Sequence, residues 1–437
     1  MKLASEHAFG AGGRKVKMYG LDNGLKVLLL CDPSAPILAY QTWFAVGSRH
    51  EREGVTGIAH LFEHLMFNQT ETLAPGEFDK KLERVGGETN AATWVDWTYY
   101  RNSLPKSELE LAVTLESDRM AHLVLGNDQV ESEREVVANE RRFRVEDDVD
   151  GFLSEEMFKL AFTEHPYHWP TIGWMKDIMA ISIADCRAFY RTYYAPNNAT
   201  LVIAGDVEER HVLDLVERHY GPIPSSQIPA DAAPKERAQD GERRATWKKS
   251  VTADKLRIGY KSPSITDPDF VALELASEIL FGGKSARLDK LLIADLEIAS
   301  SAGASSTPFR DPGLYEISVG LQRGHAAAEA EARIYEELER FAAGPLRPGE
   351  LETSRTRLET RLWRELRSLG GRAEALGHYQ TTTGDYRNLF GIADAYRRTT
   401  EADVLRAART TFDARRRTVV IAEPDGETDD DDDGDES

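Results

Sequence analysis

A proline- and charge-rich segment divides this chain of 437 residues near its middle. Residues 222–244 read PIPSSQIPADAAPKERAQDGERR and have no amphipathic periodicity, which is typical of a solvated connection between domains. A division is also expected from length, because one hydrophobic core rarely organises so many residues. The predicted parts are an N-terminal arm (1–14), a first domain (15–222), a linker (223–244), a second domain (245–425) and an acidic, disordered tail (426–437).

The two halves on either side of this segment show the same order of predicted elements. In each half, strand-like runs come first, helical spacing and another β-prone run follow, and helices with a final strand close the half. This order predicts the α+β class, with two related, duplicated domains that each pack helices on a mainly antiparallel sheet. In the first half these runs are 15–47 (strand-like), 57–67 (helical), 93–104 (β-prone) and 199–205 (final strand). In the second half they are 256–260 (strand-like), 270–281 (helical), 314–321 (β-prone) and 418–421 (final strand).

The charge of the chain disfavours one class of partner. A formal charge of -20 would repel nucleic-acid phosphates, so we expect no nucleic-acid partner. Eight of the 74 acidic residues lie in 427–437, which leaves about -12 for the rest of the chain. Such a like-charge run repels itself and buries nothing, so the tail is predicted to be solvated.

Hydropathy and cysteine content exclude further classes of protein and of metal site. No apolar run reaches the length of a transmembrane helix, so we expect no membrane span. The two cysteines, Cys31 and Cys186, exclude a disulfide framework and a zinc site built from thiolates. The first residues show no apolar signal core, so we expect a cytoplasmic location, or a periplasmic one if the N-terminus was trimmed.

A short motif within a predicted helix carries the most chemical information. His60, Glu63 and His64 are spaced His-x-x-Glu-His, and on a helix the two histidines lie one turn apart on the same face. Both imidazoles can therefore reach one metal ion, and Glu63 can take a proton from water activated by that ion. The alternative is a pair of histidines that hydrogen-bond locally on a partly buried helix.

A catalytic zinc site requires a third protein ligand from elsewhere in the chain. The best candidates lie on the predicted helix that contains Glu133 and Glu140, which are seven residues apart and share a face. One of them can bind the metal while the other orients a ligand. From the residues alone, this helix could also be an ordinary solvated, charged helix.

Several motifs together make the first half similar to the insulinase-type (pitrilysin, M16) zinc peptidases. The resemblance is strong over most of 20–222 and weaker at 281–283 and 286–288. In that family the third ligand lies about 76 residues after the second histidine, which is the separation of His64 and Glu140. The segments that carry it are VGSR at 46–49, GIAHLFEHLMFNQT at 57–70, GGETNA at 86–91, the helix at 133–140, HPY at 165–167 with Gly173, YAPNN at 194–198 and GDV at 205–207.

The resemblance implies specific roles for residues of this chain. It implies Zn2+ as the cofactor, with His60, His64 and Glu140 as its ligands. Glu63 would be the general base, and the carboxylate of Glu133 would support the catalytic site. A segment that includes Asn90 and Ala91 would be an edge strand that holds a peptide substrate through main-chain groups. Each chain would be one half of a clamshell-shaped metalloenzyme, whose two halves enclose a chamber.

One departure from the family pattern affects the expected partners. Active members supply an Arg and a Tyr seven residues apart, shortly after the Gly-Gly segment, which bind substrate and stabilise the oxyanion. Ile293 and Ser300 occupy these places here, although Arg287 and Arg310 are nearby. We therefore expect a heterodimer in which an M16-like partner supplies the Arg/Tyr pair, with a homodimer as the alternative. The predicted function is zinc-dependent endopeptidase, and the alternative is a non-catalytic core or scaffold subunit.

Overall fold

The computed structural model describes residues 1–9 and 13–426, so the predicted acidic tail from residue 427 onward lies outside the described residues. The chain forms two compact units, and neither is continuous in sequence. The first comprises Met1–Arg141, Trp169–Pro234 and Arg361–Ile392. The second comprises Arg142–His168, Lys235–Thr360 and Ala393–Ser437, described as far as residue 426. The domain and linker boundaries expected from the sequence stay predictions.

The described residues contain strands and helices of ordinary length. None of the described helices is both long enough and apolar enough to cross a membrane. The strands are β1 Lys2–Phe9, β2 Arg14–Gly20, β3 Lys26–Cys31, β4 Ile37–Phe44, β5 Glu88–Thr93, β6 Thr98–Pro105, β7 Ala199–Gly205, β8 Arg243–Lys249, β9 Lys255–Lys261, β10 Ala299–Ser306, β11 Leu314–Leu321 and β12 Arg417–Pro424. The helices are α1 Ile58–Leu65, α2 Glu77–Arg84, α3 Leu109–His122, α4 Asn127–Arg141, α5 Val149–Ala161, α6 Met175–Ala180, α7 Ile183–Tyr193, α8 Glu209–Tyr220, α9 Pro268–Phe281, α10 Arg287–Asp289, α11 Ala327–Ala343, α12 Glu350–Glu365, α13 Leu369–Thr383, α14 Ile392–Arg398 and α15 Glu401–Thr411.

The first unit is built on a seven-stranded sheet. Its strand order is β1-β2-β3-β7-β4-β6-β5, with β3 and β7 parallel and the other neighbouring strands antiparallel. β5 ends this order and is therefore an edge strand. The helix α1 packs against both β5 and β6, which places the His-x-x-Glu-His motif beside that edge.

Both faces of this sheet are buried. Val27 and Leu29 of β3 belong to a core that includes residues of α1, α3, α7 and α8, whereas Leu28 and Leu30 belong to a core on the other face. The helix α13 covers this second face, although it comes from the second half of the sequence. Gly377 permits the close approach, because a Cβ atom there would overlap the indole nitrogen of Trp43.

The second unit repeats the strand arrangement of the first. Its five strands have the order β10-β11-β9-β12-β8, in which β12 and β8 are parallel and the other neighbours antiparallel. Read from β8, this is the pairing pattern of β3-β7-β4-β6-β5 in the first unit. The helix α5 packs on this sheet although it comes from the first half of the sequence. The shared pattern confirms the predicted α+β class with two related domains.

Candidate metal centre

The first residues of α1 are fixed by a close backbone contact and a buried carboxylate. Gly57 precedes the helix with a φ of +91°, and a Cβ there would lie 2.5 Å from the carbonyl oxygen of Ile172. The Glu51 carboxylate accepts hydrogen bonds from the N–H groups of Gly57 and Ala59, each 2.8 Å long. Burial raises the pKa of Glu51 to about 8, although these two hydrogen bonds oppose the shift.

The middle of α1 is held against the sheet by apolar packing and one buried hydroxyl. Phe62 and Leu65 are fully buried in the core. The hydroxyl of Tyr100 on β6 donates a 3.0 Å hydrogen bond to the Phe62 carbonyl oxygen. The guanidinium of buried Arg119 lies 4.2 Å from the centre of the Tyr100 ring. The sheet-facing side of α1 is therefore fully occupied.

The other side of α1 carries the predicted ligands and packs against α4. The imidazole nitrogen Nε2 of His60 lies 3.6 Å from Oε2 of Glu140, and Nε2 of His64 lies 3.3 Å from the same oxygen. Ligand atoms of these three residues all lie within 4.8 Å of one another. Among the residues that the structure describes, they are the only set of three or more metal-ligating side chains so arranged.

Glu133 lies next to this group but contacts a different nitrogen. Its Oε2 is 3.5 Å from Nδ1 of His64, and its Oε1 accepts a 2.9 Å hydrogen bond from Asn68. In the absence of a metal, burial lowers the pKa of His64, but its contacts with Glu133 and Glu140 outweigh this and raise it to about 9. The hydrogen bond with His64 correspondingly lowers the pKa of Glu133. The carboxylate of Glu133 can therefore orient the ring of His64.

Glu63 lies on α1 between the two histidines and is half-buried. It is outside the set of three converging ligands. Its negative charge acts on Tyr99, Tyr100 and Tyr194, where it adds to the effect of burial in raising the pKa of each hydroxyl. Glu63 therefore lies on the same helix as the two histidines, and its role in proton transfer stays a prediction.

Asn90 and Ala91 lie on β5, at the edge of the first sheet. Asn90 is exposed and pairs with Arg101 of β6, and Ala91 pairs with Tyr100. The Asn90 side chain accepts a 2.8 Å hydrogen bond from the N–H of Ala91. The resemblance placed these residues on an edge strand, and the structure has them there.

The region that aligns with the family's Arg and Tyr has no equivalent pair. Ile293 lies in a short π-helical turn, Lys290–Asp295, and Ser300 is exposed on β10. Arg287 is buried and held by ion pairs to Glu337 and Glu350 of the same unit, at 3.2 and 2.5 Å. Because its guanidinium is committed to these carboxylates, Arg287 is a poor substitute. Arg310 lies exposed between β10 and β11.

Three residues that support the site were not identified from the sequence. Glu51 binds the N-terminus of α1, Tyr100 binds the Phe62 carbonyl, and Asn68 binds Glu133. Only Asn68 had a usable local signal, since it follows His64 by four residues. Glu51 lies six and eight residues from its partners, outside any helical spacing, and Tyr100 lies 38 residues from Phe62, so neither contact follows from a local pattern.

The chemistry of the converging side chains fits zinc. Zinc is commonly bound by imidazole nitrogens and carboxylate oxygens at about 2.0–2.2 Å, and a tetrahedral arrangement then places ligand atoms about 3.4 Å apart. The measured separations of 3.3 and 3.6 Å bracket that value. Two histidines and one glutamate also leave one coordination position for water or substrate.

Comparisons with known proteins identify the family to which the chain is similar. Residues 26–173 match the family described as "Insulinase (Peptidase family M16)", and residues 180–358 match "Peptidase M16 inactive domain". The chain is 31% identical over 411 residues to the zinc protease PqqE of Helicobacter pylori, covering 92% of each chain. It is 25% identical over 407 residues to the β subunit of the mitochondrial-processing peptidase of Lentinula edodes, covering 89% of this chain and 86% of that subunit.

Solved structures give the same result. The crystal structure of a protease from Helicobacter pylori superposes with a TM-score of 0.90 at 31% identity, covering 94% of this chain and all of the other. An M16-like peptidase from Alicyclobacillus acidocaldarius shares the fold, with a TM-score of 0.84 at 21% identity, and covers 96% of this chain and all of the other. The chain therefore belongs to the insulinase family of peptidases, family M16.

Proposed function

We propose that this protein is a zinc-dependent endopeptidase that hydrolyses peptides or unfolded protein segments. The observation that carries the proposal is the convergence of His60, His64 and Glu140 next to Glu63 on one side of α1. The names of relatives, such as the zinc protease of Helicobacter pylori, support the same activity. In this proposal, the two imidazoles and the Glu140 carboxylate hold Zn2+.

Each side chain around the metal centre would have a separate role in hydrolysis. A bound zinc ion would polarise the scissile carbonyl and lower the pKa of water. Glu63 would accept a proton as the water oxygen bonds to the carbonyl carbon, and would return it to the leaving amine. Glu133 would keep the His64 ring in the orientation that directs Nε2 at the metal.

The edge strand β5 would hold the substrate. An extended peptide can add to a free sheet edge through main-chain hydrogen bonds, which give affinity without requiring a particular sequence. Asn90 and Ala91 lie on this strand, and α1 packs against it. A peptide bound there would run past the metal centre.

We expect the working enzyme to include a second subunit. Ile293 has no side-chain donor, the Ser300 hydroxyl donates to the Gly320 carbonyl oxygen, and Arg287 is held by Glu337 and Glu350. A partner of the same fold that carries an Arg and a Tyr seven residues apart would complete the site in a shared chamber. A homodimer remains the alternative assembly.

Hydrolysis of an internally quenched peptide tests the proposal. The purified chain, alone and mixed with an M16-like partner, should cleave the peptide after zinc loading. Glu63→Gln should abolish this turnover while zinc binding persists, because the carboxylate is the proton acceptor. Unchanged turnover in Glu63→Gln would show that the assigned mechanism is wrong.

A non-catalytic scaffold subunit is the second candidate function. The replacement of the Arg/Tyr pair by Ile293 and Ser300 favours it. A scaffold would bind a partner and a peptide but would leave every peptide intact under all zinc concentrations. The same assay, performed with the partner present, separates the two functions.

A further inference from the structure

An aromatic cluster lies at the end of the edge strand β5. Trp43 stacks on Tyr99 with a centroid distance of 4.1 Å and an interplanar angle of 5°. Trp97 contacts both rings, at 5.2 and 5.4 Å, and Trp94 contacts Trp97 at 6.0 Å. We call Trp43, Trp94, Trp97 and Tyr99 the aromatic cluster. Trp43 and Tyr99 are buried, whereas Trp94 is 41% exposed.

The exposed end of the cluster is held in place by the loop that precedes α1. The turn from Trp94 to Trp97 closes with a 2.9 Å hydrogen bond from the Trp94 N–H to the Trp97 carbonyl oxygen. The N–H groups of Ser48 and Arg49 donate to the carbonyl oxygens of Trp94 and Val95 at 3.1 and 2.9 Å. Trp94 is therefore presented on a fixed backbone.

A buried ion pair further fixes the same turn. Arg49 and Asp96 have side chains only 2% and 4% exposed, and their charged groups lie 3.1 Å apart. Gly47 allows the loop before α1 to approach the Trp94–Trp97 turn closely, because a Cβ there would lie 2.7 Å from the backbone nitrogen of Trp97. A rigid aromatic side chain offers a large contact area at a small cost in conformational entropy.

The cluster lies on the face of the sheet that a bound peptide would also reach. Ala92 of β5 is directly opposite Tyr99 of β6, so both side chains point to the face covered by α13. A peptide added to the free edge of β5 would direct alternate side chains to that face.

Trp97 of the cluster has a histidine neighbour that carries no charge. His378 of α13 lies 6.3 Å from the Trp97 ring, and burial lowers the pKa of His378 to about 4. This histidine is therefore neutral at physiological pH, and it adds no positive charge beside the rings. Aromatic rings bind other rings in offset or edge-on arrangements that add to the effect of buried area.

We infer that Trp94, supported by Trp97, forms a subsite for one aromatic side chain of a peptide bound along β5. The subsite would make the protein selective for extended peptides with an aromatic residue on the face opposite α1. This inference rests on the proposed use of β5 as the peptide-binding strand. It adds a side-chain preference to a mode of binding that otherwise depends on main-chain groups.

A binding assay with a catalytically disabled chain tests the inference. The probes are fluorescein-labelled ten-residue peptides of Ala, Ser and Thr, one without an aromatic residue and one series with a single Phe. Fluorescence anisotropy should show at least tenfold tighter binding of the best Phe peptide to the Glu63→Gln chain. Adding Trp94→Ala should reduce this preference to twofold or less, and Trp94→Phe should restore most of it.

Trp363 provides a matched control, because it is also an exposed tryptophan, 52% exposed, but it lies on helix α12 and not next to the edge strand in sequence. Trp363→Ala should leave the preference for Phe intact. Equal binding of both peptides, a preference that survives Trp94→Ala, or the same loss in Trp363→Ala would overturn the inference. So would equally tight binding of a matched series in which a single Lys replaces the Phe.

A cleavage assay distinguishes failure of this inference from failure of the proposed peptidase activity. The chain with Glu63 intact is incubated with the tightest-binding Phe peptide and the partner, and the products are analysed by mass spectrometry. If no cleavage occurs but binding depends on Trp94, the inference stands and the peptidase proposal fails. If cleavage occurs and Trp94→Ala leaves the ratio of kcat/KM for Phe and Ala peptides unchanged, the inference alone fails.

Discussion

Gly173 and Gly57 bring two backbone segments into contact beside the first turn of α1. Gly173 has a φ of +84°, and a Cβ at this position would lie 2.5 Å from the Cα atom of Gly57 and even closer to the Thr56 carbonyl oxygen. An ordinary contact requires about 3.5 Å, so Gly173→Ala must move one segment by about 1 Å. One of the two segments, Thr56–Gly57, leads directly into the helix that carries His60 and His64.

The cost of Gly173→Ala has two parts that can be separated. The left-handed conformation costs a non-glycine residue about 1–2 kcal/mol, and overpacking against backbone atoms costs a further 1–3 kcal/mol or so. Gly54 provides the matched control, because its φ is +88° and a Cβ there would meet nothing within 4 Å. Gly54→Ala should therefore lose only the first part, and Gly173→Ala should lose about 2–5 kcal/mol.

Thermal unfolding and zinc titration together measure both effects. For a folding unit of this size, each kcal/mol corresponds to a fall in Tm of about 2–4 °C, so Gly173→Ala should melt well below Gly54→Ala. A displacement of about 1 Å at α1 should also weaken zinc binding by at least about tenfold, as does loss of groups that orient metal ligands. Equal Tm values and equal zinc affinities in the two variants would refute the reasoning.

Three further variants test other parts of the structure. Glu133→Gln should weaken zinc binding about 10–100-fold, measured by competition with a chelating dye, because His64 loses its orienting carboxylate. Glu135→Gln on the exposed side of α4 is its control and should have no effect. Arg49→Met should lower the free energy of unfolding by about 3–5 kcal/mol, because it removes the buried ion pair with Asp96 together with the contact of Arg49 to Asp231. Arg49→Met combined with Asp96→Asn should recover part of this loss, and no recovery would contradict the assignment. Burial lowers the pKa of Lys261 from 10.5 to about 7, so the unfolded chain binds more protons than the folded chain between these values. The free energy of unfolding should therefore gain a contribution from this amine as pH rises from 7 to 10.5, and Lys261→Met should remove that rise in denaturant titrations; identical pH profiles would contradict it.

The metal centre was predictable where its pattern is local. His60, Glu63 and His64 lie within one helical segment, and α1 forms at Ile58–Leu65 as the spacing predicts. The residues alone left two possibilities for the third ligand, since Glu133 and Glu140 share a helix face. In the structure, Glu140 lies near both histidines and Glu133 lies near the other nitrogen of His64, an arrangement that favours Glu140 as the third ligand.

Strands formed by long-range pairing were harder to predict. β10 has the sequence ASSAGASS, which has little intrinsic preference for a strand, and it forms because β11 pairs with it. The predicted β-prone run 93–104 lies mainly in β6, but residues 94–97 form a turn between β5 and β6. That turn depends on Arg49, which contacts Asp96 from 47 residues away in sequence. A local pattern of Trp, Tyr and Thr cannot indicate this contact.

The exchange of helices between the two halves also had no local signal. Residues 149–161 and 369–383 each pack on a sheet formed largely by the other half of the chain. Nothing local in either segment specifies the sheet that it covers. Small residues at contact points, such as Gly377 against Trp43, are recognisable only once the partner is known.

The number of zinc ions bound per chain tests the central claim most directly. The purified protein is stripped with chelator, reloaded with Zn2+, freed of excess metal and analysed by inductively coupled plasma mass spectrometry. The original chain and Glu63→Gln should each retain one zinc ion. His64→Ala and Glu140→Ala, once circular dichroism shows that they are folded, should retain none. No zinc in the original chain, or one full equivalent in Glu140→Ala, would contradict the assignment of His60, His64 and Glu140 as its ligands.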